Sequence, residues 1–433
     1  MKTPENFASP MEPTTKLPVR YIAAFLITSL VVYAAMIAPV AFSLAVRLEQ
    51  INVFAKNGAL ALAIGIPGVA VLVTGPLVGV LSDRTKSRFG RRRLWLLGGT
   101  ILGFFGSLLV GSAHSIPIAI FGWTAAYVGY TAALSMLTTH LGDCLPESQR
   151  GRVGGFISAI SQIGPVIGIV LAGRFVSIPF VMLAIPAMMG LVGGLFFIAV
   201  MKDPRPVNEP GKVDISDILE GFWFNPRTHR NFVWVWLSRA LVYLSLSFTS
   251  VYTVYLLAER LHFKAEALAT LVASAGLAGL PVAVIGAVTS GWLSDRLKRR
   301  KPFLVVSAIL LGAGALIVGT LTSIPQLFVG TLVSSFGIGV YNATDQAMVL
   351  DVLPQEEGQN GRYLAIIALA GQLSQAAGPF LAGIVISYGG GNYSWAYFSA
   401  AGFAVLGGLL ILPVQYVWHN SAATGADVLV TQS

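Results

Sequence analysis

The sequence predicts an all-α integral membrane protein, with 12 transmembrane helices in two pseudo-symmetric six-helix bundles. Three observations predict it. Of the 433 residues, 55% are hydrophobic and only 11% are charged, with a mean hydropathy of +0.74, far outside the range of soluble domains. The apolar residues gather in successive runs of roughly 20, the length that crosses the hydrocarbon core of a bilayer. The chain also repeats itself. G-V-L-S-D-R at Gly79 to Arg84 returns as G-W-L-S-D-R at Gly291 to Arg296, and D-C-L-P from Asp143 returns as D-V-L-P from Asp351. Ser161, Gln162, Gly164 and Pro165 return as Ser374, Gln375, Gly378 and Pro379. Three motifs in one order, at offsets of 208 to 214, are what two homologous halves of a membrane bundle leave in a sequence.

The elements follow in order. Residues 1–19 are polar and read as an N-terminal tail, and the first bundle occupies 20–201. Its apolar runs place spans at 21–46, 58–81, 94–112, 116–138, 154–173 and 178–201. The first run is too long for the core of a signal peptide and is followed by others like it. Residues 202–231 break the hydrophobicity with Pro and Gly and read as a linker, whose portion 214–223 has the spacing of a short amphipathic helix at the membrane surface. The second bundle, 232–418, holds spans at 232–257, 267–293, 303–321, 327–350, 363–386 and 394–417, and 419–433 is a polar tail.

Orientation follows from the basic residues. With the N-terminus inside, 22 of the 28 Lys and Arg fall in cytoplasmic segments and five outside, namely Arg47, Lys56, Arg174, Arg260 and Lys264. That asymmetry puts both termini in the cytoplasm of a multi-pass protein of the plasma membrane. The net charge of +9 therefore reads as topology rather than as a nucleic-acid footprint, because the charges sit in short turns between apolar runs. Cys144 is the single cysteine and has no disulfide partner within the chain. No metal-ligand cluster, nucleotide-binding loop or nucleophile beside a base is legible, so neither a cofactor nor an enzyme is expected.

On its repeated loop, G-x-L-x-D-R followed by G-R-R, the chain resembles the major facilitator superfamily over its whole length. The first copy carries extra residues between Asp83-Arg84 and Gly90-Arg91, giving S-D-R-x-x-S-R-F-G-R-R-R, a form similar to the glycoside-pentoside-hexuronide and sucrose cation symporters. The resemblance implies alternating access and a cytoplasmic clasp built from Asp83, Arg84, Arg88, Arg91 and Asp143, repeated in the second half as Asp295, Arg299 and Asp351. Physically, a carboxylate at the end of a helix can face the positive N-terminus of another while an arginine bridges to a second carboxylate. The likeness to melibiose-type carriers breaks in spans 2 and 4. Residues 58–81 and 116–142 hold no acid where those carriers bind their cation, and Thr138 stands where sucrose carriers have arginine.

A charge inside a span is costly and marks function. Two are present, Arg239 in span 7 and Asp345 in span 10. At 1.5 Å per residue, Arg239 lies ~10 Å in from the start of its helix, and Asp345 ~9 Å from Asp351. Their depths match, so a pair between them could neutralise both charges as a permanent ion pair or be broken and protonated during turnover, with His140 as a further candidate relay. Tyr243 and Ser247 follow Arg239 at helical spacing, and Tyr341 and Asn342 precede Asp345. Tyr33, Tyr127, Tyr130 and Thr131 occupy the corresponding first-half spans. Rings that stack on an organic molecule, with a few amides and hydroxyls to orient it, are what a binding site for a small solute needs. The expectation is a monomeric secondary transporter in the lipid bilayer. It would take up a sugar or glycoside with a proton, with proton-driven export of an apolar or cationic compound, or uncoupled facilitation, as the alternatives.

Overall fold

The computed structural model of the chain describes residues 16–85, 87, 89–201, 229–352 and 360–415. The expected tails beyond these limits, and the linker with its amphipathic helix, lie outside the described residues. So do Arg88 and the side chains of Asp83 and Asp143.

Regular structure among the described residues is entirely helical, as a lipid-embedded backbone requires when no water is present to satisfy its polar groups. Span 1 comprises α1 (Val19–Ala38), a π turn (Pro39–Ser43) and α2 (Leu44–Ile51). Pro39 has no N–H to give the preceding turn, and the wider π turn takes up the mismatch. Spans 2 to 6 are α3 (Lys56–Arg84), α4 (Arg93–Ser112), α5 (Ile116–Cys144), α6 (Glu147–Gly173) and α7 (Pro179–Val200). The second half continues with α8 (Arg230–Val251), α9 (Thr253–Leu261), α10 (Ala265–Leu297), α11 (Lys301–Gly319), α12 (Ile324–Val352), α13 (Asn360–Tyr388) and α14 (Ser394–Leu409).

Two spans differ from the apolar runs that predict them. Span 7 is not one helix: Tyr252 interrupts it at φ −95° and ψ 7°, and the Thr249 carbonyl beside the break accepts from the Tyr397 hydroxyl at 3.1 Å. Span 12 is shorter than expected. Among the described residues eleven stretches are long and apolar enough to cross a membrane, whereas α14 has 16 residues, about 24 Å of helix. Beyond it the chain tightens into i→i+3 turns, with the Ile411, Leu412 and Val414 amides bonded to the Gly408, Leu409 and Ile411 carbonyls, so the apolar run ends in turns rather than in helix.

The chain divides into two compact units, residues 1–211 with 263–273 and residues 212–262 with 274–433. Inside the first, α1 packs on α6 and α7, and α4 on α5 and α7. Inside the second, α8 packs on α13 and α14, and α11 on α12 and α14. The two lists match element for element under the sequence repeat. Glycine makes the tightest of these contacts possible. A Cβ on Gly106 of α4 would lie 2.6 Å from the Ala126 amide and the Gly122 carbonyl of α5, a small-residue seam of the kind that lets membrane helices touch backbone to backbone.

Helix ends are tied by basic side chains at repeat-related positions. Arg93, first residue of α4, donates to the Met201 carbonyl at the end of α7, and Lys301, first residue of α11, donates to the Leu412 carbonyl at 3.1 Å. Arg93 and Lys301 are 208 residues apart, the offset of the D-x-L-P motif. Arg47, expected in an external loop, is instead buried within α2 and donates to Val110 O at 3.3 Å and Ala113 O at 2.5 Å. It thereby brings charged donors to the last carbonyls at the end of α4 and complements the negative pole of that helix.

Candidate functional site

The second unit holds a buried ion pair. Arg239 on α8 is 8% exposed and Asp345 on α12 is 4% exposed. Arg239 Nη1 donates to Asp345 Oδ2 at 2.7 Å, and the Tyr341 hydroxyl donates to Oδ1 at 3.2 Å. Both carboxylate oxygens therefore have donors. The guanidinium lies over the Tyr243 ring, 5.3 Å from its centroid, and Tyr243 meets Tyr341 edge-on with centroids 6.2 Å apart. The i, i+4 spacings Arg239/Tyr243 and Tyr341/Asp345 put each tyrosine one turn from its charge. Val242, Leu311, Met348 and Ile367 pack into the same apolar core, which excludes water and strengthens every electrostatic contact inside it.

The remaining candidates of this unit do not join the cluster. Ser247 is buried against α13, with its hydroxyl 3.5 Å from the Gln375 carbonyl and its side chain filling the space above Gly378. Asn342 is exposed and takes no part in the hydrogen bonds around Asp345.

In the first unit Tyr130, expected to line a solute site, is 0% exposed. Its ring covers Gly103, where a Cβ would come within 2.4 Å, and its hydroxyl is 3.3 Å from Ser107 Oγ. It is a packing residue, because a glycine-rich α4 leaves a groove that only a large ring fills. Tyr33, Tyr127 and Thr131 are half-buried. Tyr127 rests on Trp123, and Thr131 donates weakly to Met36 Sδ at 3.7 Å. His140 shares a 2.5 Å hydrogen bond with the Tyr21 hydroxyl and packs against Phe197, with Cys144 Sγ 3.9 Å away. It sits in a local network among α1, α5 and α7.

At the repeated loop of the second half, Arg300 rather than Arg299 meets the carboxylates. Its Nε lies 2.6 Å from Asp351 Oδ2, and its Nη2 lies 3.9 Å from Asp295 Oδ1. Arg299 is exposed. The reason is geometric, since Lys298 takes a left-handed conformation at φ 53° just after α10, and the turn that follows brings Arg300 inward as the N-cap of α11. The repeat offset of 208 carries Arg300 onto Arg92, which is buried, whereas Arg91 is half-buried and Arg84 exposed. The signal that could have found Arg300 and Arg92 was in the sequence, in that same offset applied one residue further along. The same offset relates Arg93 to Lys301, whereas the helix-end tie of Arg47 had no such signal.

The family profile described as Major Facilitator Superfamily matches residues 21–290 and 235–427, and the chain belongs to that family. It is 33% identical over 105 residues to the general alpha-glucoside permease of Schizosaccharomyces pombe, a match covering 24% of this chain and 17% of that protein. It is 32% identical over 107 residues to Multidrug resistance protein 3 of Bacillus subtilis, covering 24% and 20%. The matched segments thus span about a fifth of each relative. A solved structure of the nucleoside transporter NupG superposes with a TM-score of 0.71 at 11% identity, over 91% of this chain and 98% of that one, a likeness of fold. As a member of this family, the chain is a multi-pass membrane protein.

Proposed function

We propose that the protein carries out proton-coupled uptake of a sugar-like or glycosidic solute across the plasma membrane, as a monomer with both termini in the cytoplasm. The observation that carries the coupling is the Arg239–Asp345 pair. It holds the carboxylate placed within a span and binds it with donors that can be exchanged. Separation of the pair during alternating access would let Asp345 take up a proton and give it back on the other side. The tyrosines around the pair supply stacking surfaces, and the limited likeness to an alpha-glucoside permease supports a sugar-like cargo. The clasp is read as Asp83, Asp143 and the loop arginines in the first half, with Asp295, Asp351 and Arg300 in the second, holding one conformation closed.

Export of an apolar or cationic compound is the second reading. It is favoured by the likeness to Multidrug resistance protein 3 and by the absence of acids from residues 58–81 and 116–142. Counterflow in proteoliposomes, with labelled glycosides set against lipophilic cations, separates the two. Asp345→Asn should abolish accumulation driven by a proton gradient while leaving exchange measurable. Accumulation that survives the substitution removes Asp345 from the coupling step and turns attention to His140.

A further inference from the structure

We propose that Arg239 anchors a negatively charged group on the transported solute, so that the site takes up one such anion together with one proton. The inference rests on the reading of Asp345 as the coupling carboxylate and adds the charge of the cargo.

The guanidinium is not used up by its partner. An arginine carries five N–H donors in a rigid planar fork. Nη1 serves Asp345, while Nε is buried and has no acceptor among the described residues. Asp345 does not take that donor: it is met at Oδ2 by Nη1 and at Oδ1 by Tyr341, and Nε points away from both oxygens without an acceptor. An arginine whose sole task was to neutralise Asp345 would bury an unpaired donor to no purpose, and such a donor is costly. The Nε side of the fork has the geometry that receives a planar carboxylate through two parallel hydrogen bonds.

Charge balance makes the same demand. The guanidinium stays protonated at every accessible pH. A proton delivered to Asp345 Oδ2 breaks the Nη1–H···Oδ2 ion pair and leaves one positive charge inside the span. An anion whose oxygens accept from Nε and Nη2, the two donors on that side of the fork, restores neutrality, while Tyr341 keeps a neutral hydrogen bond to Oδ1. Proton and anion therefore favour each other's binding by one common factor, and a cationic solute is repelled in the same state. Among the described residues, the other groups near Asp345 offer no substitute charge. Tyr243 and Tyr341 are the titratable neighbours from α8 and α12. Close by on α12, α11 packs through Ser307, Leu310 and Leu311 at Gly337, and α10 through Ala283 and Ala287 at Gly339. With a monoanion, one turnover moves one proton and one negative charge, so no net charge crosses.

Acetate is the probe, with acetamide as its neutral isostere and chloride at equal ionic strength as control. Thermal unfolding of the full chain in nanodiscs is the readout. Asp345→Asn imitates the protonated carboxylate. At pH 7.5 acetate should raise its unfolding midpoint by a few degrees over both controls, and the double variant Arg239→Gln/Asp345→Asn should lose that rise. The wild-type protein supplies an independent arm if Asp345→Asn does not fold, with acetate affinity at least tenfold higher at pH 5.5 than at pH 7.5. Acetate no better than chloride in both arms overturns the proposal, as does a rise that persists in the double variant. If gradient-driven accumulation is lost in Asp345→Asn but acetate has no effect, the coupling reading stands and the anion anchor falls. If accumulation survives Asp345→Asn, the coupling reading falls and takes the paired proton with it.

Discussion

Replacing Arg239 with methionine, which keeps most of the volume and removes the charge, tests how much the buried pair contributes to the second unit. The structure sets the size of the effect. Asp345 is 4% exposed and loses its 2.7 Å charge-assisted bond, retaining only the 3.2 Å bond from Tyr341. Removing one member of a buried ion pair costs about 3–5 kcal/mol, whereas replacing both with residues of similar size is close to neutral or stabilising. Arg239→Met should therefore lower stability by about 3 kcal/mol or more, and the double variant Arg239→Met/Asp345→Asn should recover most of it. For a unit of this size, about 2–4 °C of midpoint accompanies each kcal/mol, so the single variant falls on the order of 10 °C below wild type. The assay is tryptophan fluorescence on heating in nanodiscs, at one scan rate for all four members of the cycle. If the two single losses simply add in the double variant, the pair is not the interacting unit that the geometry describes, and the reasoning fails.

Arg300→Ala should weaken the second-half clasp and reduce transport, while Arg299→Ala should stay within about 0.5 kcal/mol of wild type, as surface changes do. Equal losses in a flux assay would refute the assignment of the bridge to Arg300. Gly106→Ala should destabilise by about 1–3 kcal/mol because its Cβ has no room against α5, whereas Gly98→Ala, with nothing within 4 Å, serves as the neutral control in the same melting experiment. Arg47→Met should cost about 1.5–3 kcal/mol by stripping charged donors from the Val110 and Ala113 carbonyls, read as a lower melting midpoint that Arg47→Lys partly restores. Cysteines placed at 84–90 and 202–212 should label only from the cytoplasm and those at 174–177 only from outside, and external labelling of 202–212 in intact cells would overturn the orientation.

The sequence by itself determined the membrane, the helices and the twofold repeat. Hydrophobic runs of bilayer length leave a backbone no alternative to helix, and motif offsets survive whatever the tertiary packing. It also singled out Arg239 and Asp345, because a charge within an apolar run is visible without knowing its partner. Tertiary structure decided what depends on direction rather than on position along the chain. Tyr130 and Asn342 read alike as polar residues of a solute site, yet Tyr130 is fully buried over Gly103 while Asn342 is exposed, since how far a residue is covered is set by neighbouring helices. The interruption of span 7 at Tyr252 lies inside a predicted span with neither glycine nor proline to mark it. The choice of Arg300 over Arg299 turns on one backbone angle at Lys298. Arg47 looked like a loop charge and became a helix cap, because the carbonyls it serves belong to a helix more than 60 residues away, and such a partnership exists only once the chain has folded.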